Sequence, residues 1–296
     1  MGFAYLTNVP LEQARREYLE LLEHQGFEPQ TQVIPVYESC GRVTAEAVYA
    51  HICAPHYTAS AMDGVAVCAR DTFGATETTP VTLHPEQFTV LDTGDPVPEG
   101  RDAVIMVEDL VKNEDGSITI HAAAAPWQHI RQIGEDVCAG EMILPGHMTV
   151  TPAAIGAMIA GGVLELRVIR RPVVGIIPTG DEIIPPCTDP KPGDILEFNG
   201  SIFSAMVRQW GAEPVVYPIV PDDFDRIKAM VEKASDQCDM VILNAGSSAG
   251  REDFSAQVIR QLGQVLYHGI AIKPGKPAIL GCRGKTAILG VPGYPV

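Results

Sequence analysis

From Arg171 onward the chain alternates short apolar runs with amphipathic stretches, and this rhythm leaves few folds open. Val173 to Ile177 is a run of the buried-strand type, and the helical segment "NGSIFSAMVRQWG" follows it, with Asn199 as its expected cap. "EPVVYPIV" reads as extended, and "DDFDRIKAMVEKASDQ" as a helix with acids in its dipole-favoured first turn. "DMVILN" is extended, "SAQVIRQL" is helical, and "QVLYHGIAI" and "TAILGV" complete the set of strands. Apolar runs separated by helices are the pattern of parallel strands buried on both faces. Residues 171–296 are therefore predicted to form an α/β domain on a parallel sheet, with ligand sites at the carboxyl ends of the strands.

The upstream half has a different texture. Asn8 to Gln25 is predicted to be an amphipathic helix: Leu11, Ala14, Tyr18, Leu21 and Leu22 recur at helical spacing, Pro10 suits the first turn and Gly26 ends it. Residues 54–126 are short alternating runs broken by turn residues, a small β-rich unit in which Asp115-Gly116 signals a hairpin. Residues 127–170 return to loop and helix, with Thr151 before Pro152 as a helix start. The expected organisation is an N-terminal domain from residues 1–53 and 127–170, a β-rich insertion at 54–126, and the α/β domain at 171–296. Residues 127–170 are expected to pack back on the N-terminal helix.

Charge and cysteine usage narrow the function classes. A formal net charge of −16 repels polyanions, so no nucleic-acid partner is expected, although a small anion held by a local patch remains compatible. No signal peptide or membrane span is evident, which fits a cytoplasmic protein. The seven cysteines are scattered, odd in number and never spaced C-x-x-C, so reduced thiols are expected rather than a zinc site or a disulfide framework. The eight histidines show no ligand spacing.

The candidate chemistry lies in the loops. "NAGSSAG" follows one strand and precedes a helix, where Gly246 and Gly250 permit close approach and Ser247 and Ser248 offer hydroxyls. An anion cradle and an ordinary tight turn satisfy this pattern equally, since it matches no standard phosphate-loop motif. A second loop places Thr179, Gly180 and Glu182 after a neighbouring strand, a third places Asp222, and Asp253 follows the glycine-rich loop. Carboxylates at one sheet edge can hold a hard cation such as Mg2+ beside a phosphate, and acids there also serve as helix caps. Lys273 and Lys276 flank Pro274-Gly275 and, with Pro277, form a stiff turn whose two cations suit an oxyanion. Asp63, Thr93 and Asp136 occupy compact polar loops of the first half, where turn chemistry alone accounts for such residues.

Taken in order, "SAMDGVAV", "TGDPVPEGRDAVI", "GEDV", "PTGDEI", "NAGSSAGREDF", "AIKPGKPAILG" and "GVPGYPV" resemble the motif series of the molybdopterin molybdenumtransferase family, to which the C-terminal module of gephyrin belongs. The resemblance implies an elongated homodimer that inserts molybdenum from molybdate into adenylylated molybdopterin, releasing AMP with Mg2+ present. By motif match it implies that Asp63, Thr93, Asp136, Glu182, Asp222 and Asp253 line the cleft. It puts Lys273 and Lys276 near molybdate, and the chemistry makes Glu182, Asp222 and Asp253 candidates to bind Mg2+, or one of them to orient water, these three with Asp136 being the catalytic candidates. Two positions depart from the pattern: Asn244-Ala245-Gly246 replaces the usual Gly-Gly, and Tyr294 stands where Asn is common. Family members also continue into a small β-barrel domain beyond the point reached by Val296, so a non-catalytic module that binds the pterin nucleotide is the alternative expectation.

Overall fold

A computed structural model describes residues 8–245 and 254–293. The chain divides into two units, Met1–Gln30 with Arg170–Val296, and Thr31–Ile169.

The first unit is a six-stranded sheet between two helical layers. Its elements in chain order are α1 (Leu11–His24), β1 (Val173–Pro178), α2 (Asn199–Gln209), β2 (Glu213–Val216), α3 (Phe224–Gln237), β3 (Met240–Ala245), α4 (Phe254–Leu262), β4 (Gln264–His268), β5 (Ile279–Arg283) and β6 (Thr286–Pro292). The strand order is β2-β1-β3-β6-β5-β4. Strand alternation separates the faces. Ile177, Val241 and Leu243 pack with Ile227, Val231, Val258 and Ile259 of α3 and α4 on one side. Val174, Ile176 and Ile242 pack with Val207 of α2 on the other.

Three expectations are corrected here. The sheet is mixed: β5 runs antiparallel to both neighbours. Only Gly284 and Lys285 join β5 to β6, with Gly284 at φ 55°, and so short a turn cannot return a parallel strand. The N-terminal helix belongs to this unit, not with residues 127–170. Ala14 packs with Ala278 and Leu280, Leu22 packs with Cys282 and Ala287, and the Tyr18 hydroxyl meets the carbonyls of Gly281 and Ile288 at 2.8 and 3.1 Å. The helix also starts later than its pattern suggests, because Val9 forms a parallel bridge to Ile270.

The second unit has two large apolar centres, besides a smaller cluster of Ala66, Leu91, Val104 and Ile130. Thr31–Pro35 pairs antiparallel with Glu165–Ile169, and Val36, Val48, Val150, Met158, Leu166 and Val168 form the first centre. The helix Pro152–Ala160 contributes Met158, and Thr151 caps it by accepting the Ala154 N–H at 3.2 Å. The other centre lies between two three-stranded antiparallel sheets. One has the order Phe88–Leu91, Gly64–Val67, Ala103–Met106, and the other Val81–Leu83, Ile118–Ile120, Leu110–Lys112. Val65, Val67, Leu83, Ile105, Ile118 and Ile120 fill the space between them. The hairpin expected at Asp115-Gly116 joins two of these strands, with Gly116 at φ 83°.

Candidate functional site

In the α/β unit, candidate groups gather at the carboxyl ends of β1 and β2. Thr179 extends β1 by a parallel bridge to Val220, and its N–H and hydroxyl donate to the Asn244 carbonyl at 2.9 and 3.2 Å. Gly180 turns the chain at φ 144°, a left-handed conformation, and a side chain there would stand 2.7 Å from Ile183. This turn carries Asp181 and Glu182 out of the sheet, and Asp181 accepts the Asp222 N–H at 3.1 Å. Burial, then the charges of Asp181 and Glu182, pushes the Asp222 carboxyl above its ordinary range. Asp223, not Asp222, caps α3, accepting the Arg226 N–H at 2.9 Å. Asp222 is thereby left free of a capping role.

A cleft of about 560 Å³ opens beside these groups, with Gly180, Asp181, Glu197, Tyr217 and Pro221 in its wall. Asn199 does not cap α2 as expected. It is buried, its amide nitrogen donates to the Gly293 carbonyl at 2.9 Å, and Glu197 accepts the Gly200 N–H instead. The side-chain oxygens of Asn199 and Asn244 and the Ser204 hydroxyl are buried with no hydrogen-bond partner among the described residues. Such groups are costly unless something satisfies them. Alternation turns Asn244 to the α2 face together with Ile242, the side from which Asn199 and Ser204 approach. Sequence reasoning passed over this polar trio, since nothing in a lone Asn at a strand end signals an unmet oxygen.

Lys273, Lys276 and Pro277 lie on the loop joining β4 to β5. Both lysines are exposed, Gly275 adopts φ 96°, and the Lys276 carbonyl accepts the Ile270 N–H at 2.9 Å. β4 runs in the direction of β1, so the loop leaves the same edge of the sheet. Four strand spacings, roughly 19 Å, separate it from the Thr179 loop. The two groups share no described cavity, and β3, β6 and β5 separate β1 from β4 in the sheet. Gly246, Ser247, Ser248, Gly250, Asp253 and Tyr294 lie outside the described residues. Among the described residues no group of three or more His, Cys, Asp or Glu side chains is placed to hold a metal ion.

In the other unit Asp63, Thr93 and Asp136 come from neighbouring loops. A methyl group at Gly64 would lie 1.9 Å from the Ile105 carbonyl oxygen, so the strands pack too closely there for any other residue. That approach fixes the backbone beside Asp63. Asp63 accepts hydrogen bonds from the Thr93 N–H at 2.6 Å and hydroxyl at 2.7 Å, which hold its carboxyl below the ordinary range. The Ser60 carbonyl accepts the Gly94 N–H, and the Ala61 N–H donates to the His129 carbonyl, tying the loops of Asp63, Thr93 and Arg131 together. Arg131 pairs with Asp136 and lies 3.7 Å from Glu135. A second cavity of about 330 Å³ is lined from both sheets, with Asp63, Asp92 and Lys112 in its wall.

A sheet that presents carboxylates, a glycine turn and unmet acceptors at its strand ends belongs to the α/β proteins that take polar ligands at that edge. Comparison with known proteins makes this specific. Residues 9–162 match the model described as "MoeA N-terminal region (domain I and II)", and residues 175–296 match the one described as "Probable molybdopterin binding domain". The chain is 33% identical to the molybdopterin molybdenumtransferase of Haemophilus influenzae, over 97% of this chain and 73% of that protein. It is 35% identical to molybdopterin molybdenumtransferase 2 of Mycobacterium tuberculosis, over 89% of this chain and 70% of that one. The crystal structure of a molybdopterin biosynthesis MoeA protein from Pyrococcus horikosii is similar at 32% identity and a TM-score of 0.82, over 98% of this chain and 75% of that chain. The chain belongs to the molybdopterin molybdenumtransferase family, a family of molybdenum cofactor biosynthesis. Among the described residues no helix is long and apolar enough to cross a membrane.

Proposed function

We propose that this chain inserts molybdenum from molybdate into adenylylated molybdopterin, releasing AMP, and that it works in the cytoplasm as a homodimer. The observation that carries the reading is the crowding of Asp181, Glu182 and Asp222 at the ends of β1 and β2, in a chain matched over 97% of its length by a named transferase. The bond to be broken is a phosphoanhydride, so the protein's task is positioning and charge neutralisation. The Gly180 turn allows a phosphate to approach the main chain.

The donor set fits Mg2+. Hard cations take oxygen ligands, and Mg2+ needs only one or two carboxylates when substrate phosphates and water complete its shell, so no all-protein cage is required. Glu182 and Asp222, with Asp253, would hold it. When bound it would offset phosphate charge and oppose the rise of the Asp222 carboxyl, which burial causes first and the charges of Asp181 and Glu182 next. Thr179 and Gly180, with Gly246, Ser247, Ser248 and Gly250, orient the nucleotide. Lys273 and Lys276, on the turn stiffened by Pro277, hold molybdate. Within the second unit, Asp63, Thr93 and Asp136 offer polar groups to the pterin.

The test is AMP release from adenylylated molybdopterin, with and without molybdate. Molybdate-dependent release supports the reading. Tight binding measured by calorimetry with no release overturns it in favour of a non-catalytic pterin-nucleotide module.

A further inference from the structure

Cys53 and Cys138 are separated by 84 intervening residues in a sequence whose cysteines show no pairing pattern, yet the second unit sets them opposite one another. Ala54 and Val137 form an antiparallel bridge and exchange both main-chain hydrogen bonds, at 2.8 and 3.1 Å. Beyond this bridge the ladder breaks, as the Glu141 N–H turns back to the Cys138 carbonyl, and pairing resumes where the Ala50 N–H donates to the Glu141 carbonyl and Tyr49 pairs with Met142. Cys53 and Cys138 are therefore the cross-strand pair next to Ala54 and Val137, in a non-hydrogen-bonded position. Cα atoms in such a position stand about 4.5 Å apart, within the range a disulfide spans. The sulfurs converge as well. A methyl group built on Gly134 would lie 2.9 Å from Cys138 Sγ and 3.6 Å from Cys53 Sγ. The Ala139 N–H donates to Cys53 Sγ, and the Cys138 thiol donates to the Gly134 carbonyl, each at 3.3 Å. Cys138 is exposed and Cys53 half-buried.

We propose that Cys53 and Cys138 are a redox-active dithiol that closes to a cross-strand disulfide by exchange with a small disulfide such as oxidised glutathione. The exposed Cys138 thiolate attacks one glutathione sulfur and expels the other as a thiolate. Cys53 then attacks the mixed disulfide at Cys138 Sγ and expels the second glutathione thiolate. One protein S–S bond forms, one glutathione S–S bond breaks, and the two protein thiol protons end on two glutathiones. Closure removes the S–H that Cys138 donates to Gly134, at the turn that carries Asp136. The site stands on this geometry alone and does not depend on the enzymatic reading.

The 296-residue chain is equilibrated in glutathione buffers of rising oxidised fraction, quenched with a maleimide, digested and analysed by mass spectrometry. The expected product is one linked peptide pair, Cys53 with Cys138, two hydrogens lighter than the separate peptides, while exposed Cys40 and Cys187 remain alkylated or carry glutathione singly. In Cys53→Ser, glutathione accumulates on Cys138 because the second thiol is gone. The proposal is overturned if Cys53 and Cys138 stay alkylated under conditions that glutathionylate Cys40 and Cys187. It is equally overturned if links scatter among all exposed cysteines, or if Cys53→Ser leaves Cys138 no more glutathionylated than in the parent.

Discussion

Thr93 donates both its N–H and its hydroxyl to one oxygen of Asp63, at 2.6 and 2.7 Å. The hydroxyl is the larger cause of the lowered Asp63 carboxyl, and the main-chain N–H is the next. Thr93→Val is expected to move the Asp63 titration back toward the ordinary carboxylate range without completing the return, because the N–H remains. Thr93→Ser is expected to preserve it. Carboxyl carbon chemical shifts followed against pH measure the effect. The sign follows from linkage: a depressed carboxyl stabilises the fold above its unfolded value, and that contribution fades as pH falls through the folded one.

Gly64 is expected to tolerate no side chain. In Gly64→Ala the new methyl, on the central strand of a three-stranded sheet, must displace the Ile105 carbonyl of the neighbouring strand. The expected cost is about 2–4 kcal/mol, read as a lower urea midpoint with an unchanged slope. An unaltered midpoint would contradict the packing described for this sheet.

The buried hydroxyl of Tyr18 predicts alkaline lability. Burial raises its phenol well above the ordinary value, and Tyr217 is pushed up to about 12, first by burial and then by Cys238. A folded value above the unfolded one gives stability that is complete below the unfolded phenol range and is lost as pH climbs through the folded value. Thermal midpoints are expected to fall above pH about 10, and Tyr18→Phe to shrink that fall. At neutral pH the same substitution is expected to cost about 1 kcal/mol through its lost hydrogen bonds.

Thr151→Ala removes the cap of Pro152–Ala160 and is expected to cost about 1 kcal/mol, whereas Thr151→Ser keeps it. Chemical denaturation of the two variants side by side decides this.

For the proposed reaction, Glu182→Gln is expected to reduce AMP release on the order of a hundredfold, with the fold intact by circular dichroism. Full activity in that variant would remove Glu182 from the reacting centre.

The rhythm of apolar runs and helices made the α/β unit readable, because a buried strand must be apolar on both faces and a surface helix on one. The reversal of β5 was not readable in that way, since a strand's direction depends on the length of its connection and not on its own residues. α1 had an obvious apolar stripe, but a stripe does not say what it will cover. Tyr18 found Gly281 and Ile288 across more than 260 residues of chain. Among the candidate residues, a strand-end position singled out Glu182 and the motif series Asp63, Thr93 and Asp136, whereas Asn199 does not act as the expected cap because Glu197 takes that role. The burial of the Asn199 and Asn244 side-chain oxygens and the meeting of Cys53 with Cys138 arise only when distant segments are brought side by side.

The Arg170 N–H donates to the Gln30 carbonyl at 2.7 Å, next to the register in which Thr31 meets Ile169. The middle of the polypeptide is thus an excursion that leaves and rejoins at a single neck. During synthesis that excursion can mature as soon as it clears the ribosome, whereas the sheet that α1 covers must wait for β5 and β6, the last strands to emerge. Its N-terminal helix is made first and docks last.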